Sequence, residues 1–468
     1  MARRDSHALL VGITLMALTV GPVAAQDAPR DPARQYPLPT YEENWQFLRD
    51  PNRHADPWDA VKYVLLGDNV YASFGGEARV SYERFGHGYF GLMPLSPNGY
   101  LLQRYLFHSD VHFGSRFRMW GELNSSFENG RVGGPRPAVD EDKLDLHQSF
   151  LEVTVLQRPD VVVRLRGGRQ EIALGSGRLY ALREGPNVPL SFDAVRIIVA
   201  ETGSWRVDAW AARPVTTTPG LFDDRSDHQF SVWGAYLSKP SVHHASLDVY
   251  YTGWDRQNAH FDKGTAHERR HTFGARLSQR GVWAYDAEAI FQLGTFGAGD
   301  IRAWRGAIEG SRSISAPWIP RIGIDLDVAS GDRGRGSPTL GTFNGFFQSG
   351  TYSGRAQLLG PNNSIRFEPT LTLAPRRNVA ISGGWGFYWR QSEQDALYGI
   401  AGNVIVPSNG VRGHYEGSRP IVEIGWSPTP HLSLHLNYIF IFTSAFEERS
   451  VHATPTDSYV APWITYRF

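Results

Sequence analysis

The sequence predicts an all-β protein, an antiparallel outer-membrane β-barrel of about eighteen strands with short periplasmic turns and long extracellular loops. Three observations predict this fold. Apolar residues recur with a period of two from Asn69 onward, the connections between strands alternate in length, and the last strand ends on an aromatic residue. We therefore divide the chain into a signal peptide (1–25), an N-terminal periplasmic segment (26–68) and a transmembrane barrel (69–468).

The composition excludes several classes of protein. The chain has 468 residues, with 47 Lys plus Arg, 47 Asp plus Glu and no Cys. Without cysteine it has neither a disulfide scaffold nor a cysteine metal or redox site. The balanced charge argues against a nucleic-acid binder. Nearly all of the basic residues are arginines, which suit the recognition of carboxylates, although a codon bias would give the same count.

The N-terminus has the pattern of a secretory signal. Arg3 and Arg4 precede an apolar stretch over residues 8–20, and Val23, Ala24 and Ala25 supply small residues at a cleavage site after Ala25. Beyond it, no uninterrupted apolar stretch approaches the ~20 residues that a membrane helix needs. This excludes a helical membrane protein and leaves a membrane barrel possible.

The strand pattern is clearest in three places. In residues 115–127, Phe117 and Met119 share a face opposite to Arg118 and Glu122. Residues 431–442 repeat the alternation. In the last strand one apolar face ends at Phe468, the C-terminal residue, as in the strand by which outer-membrane barrels are recognised for assembly. That face is formed by Val460, Pro462, Ile464, Tyr466 and Phe468.

The connections alternate in length along the chain. Short ones are predicted at 114–115, 157–160, 201–204, 239–244, 280–281, 374–378 and 427–430. Long ones, rich in Gly, Pro and charge, are predicted at 86–99, 129–143, 214–228, 254–267, 330–362, 391–418 and 444–457. This alternation is typical of bacterial outer-membrane barrels.

The face opposite to the lipid is charged in many of these strands. A charged lining of this extent is costly to bury dry, which favours a water-filled pore, whereas paired charges that only fill the interior remain the alternative. The residues predicted to face the lumen are Glu77, Arg79, Glu83, Arg104, His108, Asp110, Arg116, Arg118, Glu122, Arg206, Asp208, Asp286, Glu288, Arg321, Asp325 and Asp327.

The pattern His-Glu-x-x-His at His267–His271 matches a zinc-protease motif, but that chemistry requires a helix. Here the residues run into an alternating strand, on which positions four apart are ~13 Å from each other. We therefore expect no zinc. Asp223, Asp224 and Asp227 are interpreted as an acidic surface loop rather than a cation site, and no motif of an enzyme is complete. We expect neither an enzyme nor a cofactor.

The stretch from Gly168 to Arg196 is the most distinctive of the chain. It contains Gly168-Arg169-Gln170-Glu171, Gly175-Ser176-Gly177-Arg178-Leu179, Arg183-Glu184-Gly185-Pro186-Asn187 and Phe192-Asp193. This stretch resembles the hallmark region of the alginate export family of outer-membrane proteins. Further similar segments follow in order along nearly all of the mature chain. The resemblance implies an eighteen-stranded barrel that passes the anionic polyuronate alginate to the cell exterior through an arginine-lined channel.

Two departures from the family pattern leave the substrate open. Val188-Pro189-Leu190 stands where basic residues often follow the Asn, and Ala194 stands where a Gly is usual. The candidate residues of the substrate path could bind carboxylates at many weak sites, or pair with one another. They are Arg169, Glu171, Arg178, Arg183, Glu184, Asn187, Asp193 and Arg196.

The leading hypothesis is an outer-membrane channel that exports an anionic polysaccharide or oligosaccharide by facilitated diffusion. The alternative is a general anion-selective porin for the uptake of small organic anions or oligosaccharides. A hydrolase carried on the barrel is a third interpretation, but no spacing of residues identifies its site. The expected partners are the saccharide, outer-membrane lipid and the barrel-assembly machinery, with no nucleic acid.

Overall fold

A computed structural model describes residues 34–87, 98–136, 138–242, 245–334, 336–350 and 354–468. The predicted signal peptide, residues 1–25, lies outside the described residues. No helix in the described part of the chain is long and apolar enough to span a membrane.

Eighteen long strands form the wall of the molecule in the described residues. We number them β1 to β18 in chain order. They are Val70–Phe85, Asn98–Phe113, Phe117–Asn129, Asp142–Gln157, Val161–Gln170, Phe192–Glu201, Trp205–Thr216, Phe230–Val242, Ala245–Phe261, Gly264–Gln279, Trp283–Phe296, Gly299–Ser313, Arg321–Ala329, Ser364–Arg376, Val379–Arg390, Tyr415–Trp426, Leu432–Phe442 and Thr456–Arg467.

Each long strand pairs antiparallel with the next one along the chain. The first strand also pairs with the last, in a register that sets Glu77 opposite Arg467 and Phe85 opposite Tyr459. The sheet is therefore closed and leaves no strand edge open. The predicted barrel of eighteen strands is confirmed.

The outer surface is apolar and the inner surface is polar over much of the wall. In β3, Phe117 and Met119 are 56 % and 45 % exposed on the outside, whereas Glu122 and Asn124 on the inside are each 1 % exposed. Because side chains of a strand alternate between its two faces, this pattern follows directly from the sequence. The two faces predicted for this strand are confirmed.

Two details of the prediction are wrong. The expected long connection at 254–267 is strand, since β9 continues to Phe261 and β10 begins at Gly264. Its Gly, Asp and charged residues led to the prediction of a loop, but cross-strand pairing extends through them. Arg116, which was expected on the lumen face, lies exposed in the turn before β3.

His267 and His271 both lie on β10, which confirms the strand predicted at His271, whereas His267 was predicted to end the connection before it. Their side chains have different partners. His267 Nε2 is 2.8 Å from Asp255 Oδ1, and His271 Nδ1 is 2.8 Å from the hydroxyl of Tyr251.

The N-terminal segment (residues 34–69) lies against the end of the barrel that carries the short turns. It contains three 3₁₀ turns and the helix α1, followed by a short strand that pairs with β1. The ring of Trp58 packs on Phe468 with 4.3 Å between ring centroids, and Asp56 contacts His431 at 2.7 Å. Its elements are Thr40–Glu42, Gln46–Arg49, Pro51–Arg53, α1 at Asp59–Lys62 and the strand Val64–Gly67.

At the end of the barrel with the long loops, part of the inner surface is apolar. Phe85, Tyr100 and Ile439 point inward there and pack on loop residues such as Leu358 and Phe446. The remaining short elements belong to these loops, and several of them fold into the barrel. They are the strands Arg225–Ser226, Thr339–Leu340, Leu397–Tyr398 and Val404–Val406 and the helix α2 at Ala445–Val451.

We predict that Phe468→Asp impairs assembly of the barrel. The backbone of Phe468 exchanges two hydrogen bonds of 3.1 Å with Gly76, and a carboxylate would replace its apolar contact with Trp58. The measurement is the heat-modifiable mobility of the protein in outer-membrane fractions. Phe468→Tyr, which keeps the ring, is the control. A normal amount of heat-modifiable barrel for Phe468→Asp would contradict the prediction.

Candidate functional site: the loop that crosses the lumen

The connection between β5 and β6, residues 171–191, crosses the interior of the barrel, and we name it the inner loop. Near its start, Arg178 reaches β11 and β12 on one side of the wall. Near its end, Glu184 and Asn187 contact β1, β2 and β3. One segment of chain thus bridges walls that are distant in strand order.

Asn187 fixes the returning part of the inner loop to the wall. It is fully buried, and its Nδ2 donates to the carbonyls of Gln103, Phe127 and Asp140 at 2.9, 3.0 and 2.9 Å. The backbone N–H of Asn187 also donates to the carbonyl of Val139 at 3.0 Å. These bonds join the loop to two neighbouring strands and to the connection that follows them.

Arg178 fixes the other part of the inner loop. Its Nη1 lies 2.8 Å from both Asp286 and Glu288, and its Nη2 lies 2.6 Å from Glu309. The guanidinium is 2 % exposed, so these charge-assisted bonds form away from bulk water. Ser176 adds a 2.5 Å bond to Glu288.

The wall around Arg178 carries more acids than bases. We name its carboxylates the acidic wall, and they face the lumen from five strands, β9 and β11 to β14. Seven carboxylates there meet three arginines of the strands and Arg178 of the inner loop. The carboxylates are Asp248, Asp286, Glu288, Glu309, Asp325, Asp327 and Glu368, and the strand arginines are Arg276, Arg305 and Arg366.

The opposite side of the inner loop meets a group of arginines, Arg79, Arg104 and Arg467, which we name the basic cluster. Arg104 and Arg467 both bind Glu77, at 2.5 and 2.8 Å. Arg79 instead donates to the backbone carbonyls of Glu184 and Pro186 at 2.6 and 2.8 Å.

The basic cluster has an excess of positive charge, since in the described part of the chain its three arginines meet two carboxylates, Glu77 and Glu184. Burial alone would raise the pKa of Glu184, but Arg104 beside it holds that pKa below its ordinary value. The neighbouring Arg183 donates to the carbonyl of Ala138, and burial lowers its pKa to about 10, so it remains charged at neutral pH. The inner loop therefore lies between a basic side and an acidic side of the lumen.

The N-terminal segment meets the inner loop inside the barrel. Tyr41 is 3 % exposed and donates from its hydroxyl to the carbonyl of Glu171 at 3.2 Å. The guanidinium of Arg166 lies 4.3 Å from the centre of the Tyr41 ring, and Thr40 donates to Glu122 at 2.8 Å. This segment therefore occupies lumen space on the periplasmic side of the inner loop.

A row of buried ionisable groups links the N-terminal segment to the inner loop. Lys62 lies 3.0 Å from Glu43, which is 3.7 Å from His108. His108 is in turn 3.7 Å from Glu122. The row continues through His147, which lies 3.9 Å from Glu122 and 3.1 Å from Glu171.

Glu171 is the group at the end of this row that belongs to the inner loop. Burial and the nearby charge of Glu184 raise its pKa to about 8. A carboxyl that takes up a proton in the docked loop favours docking most at low pH. This contribution is complete below the ordinary pKa near 4.5 and is lost as the pH rises through about 8.

The structure brings most of the predicted path residues together, five of them on the inner loop itself. Those five are Glu171, Arg178, Arg183, Glu184 and Asn187. Arg196 faces the lumen from β6 and pairs with Asp208 at 2.8 Å.

Two of the predicted path residues, Arg169 and Asp193, lie elsewhere. They pair with each other at 2.9 Å. By strand alternation they occupy the face opposite to Gln170 and Arg196, and they contact the connection between β7 and β8. They therefore do not share the lumen with the other six.

The basic cluster was not among the predicted path residues. Strand alternation placed Arg79 and Arg104 on the lumen face, and the structure confirms that position. No sequence pattern indicated that the inner loop would end beside them, because that contact joins residues at least 80 positions apart. Arg467 was hidden within the apolar pattern of the last strand.

A comparison of the chain with family models decides its family. The model described as alginate export matches residues 70–459, which is most of the chain. The chain belongs to the alginate export family. Family and fold together are those of an outer-membrane transport channel. No curated protein matches the chain significantly.

Solved structures with the same fold are porins of the Gram-negative outer membrane. A BenF-like porin from Pseudomonas fluorescens Pf-5 has a TM-score of 0.57 at 12 % identity, over 85 % of this chain and 98 % of that one. OpdK of Pseudomonas aeruginosa with vanillate has a TM-score of 0.56 at 12 % identity, with the same coverage. OccK2 (OpdF) of Pseudomonas aeruginosa with glucuronate has a TM-score of 0.54 at 11 % identity, again over 85 % and 98 %.

We predict that the channel opens more often as the pH rises from 5 to 9, because the docked inner loop loses the stabilisation given by protonated Glu171. Glu171→Gln, which keeps a neutral side chain at every pH, should flatten this dependence. The measurement is the open probability of single channels in planar bilayers at each pH. Glu448→Gln, at an exposed position on α2, is the control. An unchanged pH profile in Glu171→Gln would refute the role of this carboxyl.

We predict that Arg178→Met increases single-channel conductance. The substitution removes the contacts of Asp286 and Glu309 to the inner loop and leaves Glu288 its bond to Ser176, and breaking a buried ion pair costs about 3–5 kcal/mol. Arg302→Met is the control, since 72 % of the Arg302 side chain is exposed outside the lumen. Equal conductance in Arg178→Met and the wild type would show that these ion pairs do not hold the loop.

Proposed function

We propose that this outer-membrane channel passes an anionic saccharide of the polyuronate type by facilitated diffusion. The observation that carries the proposal is the basic cluster beside the inner loop, in a chain of the alginate export family. Arg79, Arg104 and Arg467 have more positive charge than their carboxylate partners neutralise. The basic cluster would attract the carboxylate of a solute that enters the lumen.

Two arginines on this side remain accessible to a passing anion. The side chain of Arg467 is 29 % exposed, and Arg183 is partly exposed on the inner loop. A guanidinium ~4 Å from a carboxylate contributes on the order of 4 kcal/mol at an effective dielectric constant of ~20. Because Glu77 and Glu184 offset much of this energy, the attraction at each position is weak enough for the anion to leave again.

Because of the acidic wall, the two sides of the lumen carry charge of opposite sign. A polyuronate would travel along the basic side with its carboxylates, while its neutral hydroxyl groups face the acidic side. Carboxylates of the protein accept hydrogen bonds from sugar hydroxyls, so both sides suit a charged sugar. A uniformly basic pore would attract small inorganic anions equally well.

The alternative function is an uptake porin for small organic anions or oligosaccharides. The inner loop and the N-terminal segment occupy part of the lumen and narrow the passage. This favours the alternative, since a polymer needs a wider passage than a single small anion. The structural likeness to OpdK with vanillate and to OccK2 with glucuronate concerns the fold. Under both functions the basic cluster attracts the solute.

The proposal is tested with the double variant Arg183→Gln and Arg467→Gln, which removes two accessible charges and keeps polar side chains. We expect a lower anion-to-cation permeability ratio and a weaker block by oligomers of mannuronate, because both depend on positive charge beside the inner loop. The measurements are the reversal potential in a salt gradient and the concentration of oligomer that halves the current.

The control is Arg302→Gln, at a side chain 72 % exposed outside the lumen. Its selectivity and block should equal those of the wild type. Block by glucuronate monomer with none by longer oligomers would favour the uptake porin. A cation-selective wild type, or a block by neutral maltooligosaccharides and not by uronates, would refute the proposal.

A further inference from the structure

Three carboxylates converge where β4 begins at the extracellular end of the barrel. Asp142 and Asp145 belong to β4, and Asp224 belongs to the connection between β7 and β8. A carboxylate oxygen of each lies within 4.8 Å of an oxygen from both of the others. Asp142 and Asp145 are 2 % and 3 % exposed, whereas Asp224 is partly exposed.

One oxygen in this group is buried without a partner. Oδ2 of Asp142 accepts from Nδ2 of Asn124 at 2.8 Å, but Oδ1 has no hydrogen-bond partner among the described residues. A buried carboxylate oxygen without a partner is costly, and buried charges are usually paired or bound to a metal. Asp142 therefore offers the cluster an acceptor that no group of the described residues satisfies.

The positive groups nearby do not neutralise the cluster. Arg169 comes within 3.6 Å of Asp145, but its Nε is bound to Asp193 and its Nη2 also donates to the carbonyl of Asp224. Lys143 is directed away, with 56 % of its side chain exposed and Glu141 at 4.0 Å. Within the residues that the structure describes, these three carboxylates thus share one arginine, Arg169, which has other partners.

We propose that Asp142, Asp145 and Asp224 bind a divalent cation, Ca²⁺. Every ligand is an oxygen, which selects a hard cation over zinc or copper. Ca²⁺ accepts carboxylate and water oxygens in a flexible geometry, whereas Mg²⁺ demands a near-ideal octahedron and dehydrates reluctantly. Three carboxylates contributed by two separate elements therefore suit Ca²⁺, with water completing its coordination from the exposed side of Asp224.

The cation would fasten the connection between β7 and β8 to the start of β4. The backbone N–H of Asp224 already donates to Asp145 at 3.0 Å, and that of Phe222 donates to the carbonyl of Leu144 at 2.9 Å. A shared ion adds a bond between the same two elements. The sequence alone did not indicate this site. Asp223, Asp224 and Asp227 were interpreted as an acidic surface loop, and only the fold brings Asp142 and Asp145 of β4 beside Asp224.

The proposal is tested by calorimetric titration of CaCl₂ into the full-length mature protein in detergent, after removal of metal with EDTA. We expect one Ca²⁺ per chain, at least tenfold weaker binding of Mg²⁺, and at least tenfold weaker binding of Ca²⁺ to Asp142→Asn. Asp300→Asn, at a side chain 64 % exposed on β12, should bind as the wild type does.

A second variant covers the case in which Asp142→Asn does not fold, as judged by its heat-modifiable mobility. Asp224→Asn changes a partly exposed side chain and should lose binding to the same extent. Ca²⁺ should also slow proteolysis within residues 217–229 of the wild type and not of Asp224→Asn. No saturable heat in the wild type at millimolar Ca²⁺, or equal binding by wild type and Asp224→Asn, would overturn the proposal.

Discussion

A charged side chain that faces the lumen of a membrane barrel must meet either water or a charge of opposite sign, because burying it alone is costly. Strand alternation directs many Arg, Asp and Glu residues inward in this protein. The acidic wall has too few strand arginines to neutralise it, and the inner loop supplies Arg178. The need to compensate these carboxylates explains why a connection crosses the lumen instead of extending into solvent.

The same constraint accounts for the two ends of the inner loop. Its first part carries a positive charge to the acidic wall, and its second part carries the Glu184 carboxylate to the basic cluster. The loop thereby separates a side of positive charge from a side of negative charge. A solute that passes beside it experiences both, which distinguishes this lumen from a pore lined by arginine alone.

Much of the fold was predictable because strand alternation is a local property of the sequence. Phe117 and Met119 identified the lipid-facing side of β3, and Phe468 indicated the end of the last strand. The prediction failed at residues 254–267, where polar residues continue two strands beyond the apolar region. It also gave no sign of the apolar cluster inside the barrel at the end with the long loops, because inward Tyr100 and Ile439 alternate as lipid-facing residues do.

The candidate site was predictable in part. The motif of residues 168–196 identified the segment that forms the inner loop, and alternation placed Arg79 and Arg104 in the lumen. Neither the motif nor the alternation predicted that the inner loop contacts Arg79 and Arg104, since this contact depends on how far the loop folds inward. Arg169 lies on the opposite face of the sheet from Arg196 because of the strand register. A sequence motif carries no information about that register.

The most direct test of this account is a cross-link between the inner loop and the acidic wall. Because the natural chain has no cysteine, a double variant with Ser176→Cys and Glu288→Cys contains the only two thiols. In outer membranes, a short bifunctional thiol reagent should cross-link the two cysteines within one chain. The cross-linked channel should show no rise in single-channel conductance above that of the wild type. Efficient labelling of each single variant without any cross-link in the double variant would show that the inner loop does not cross the lumen.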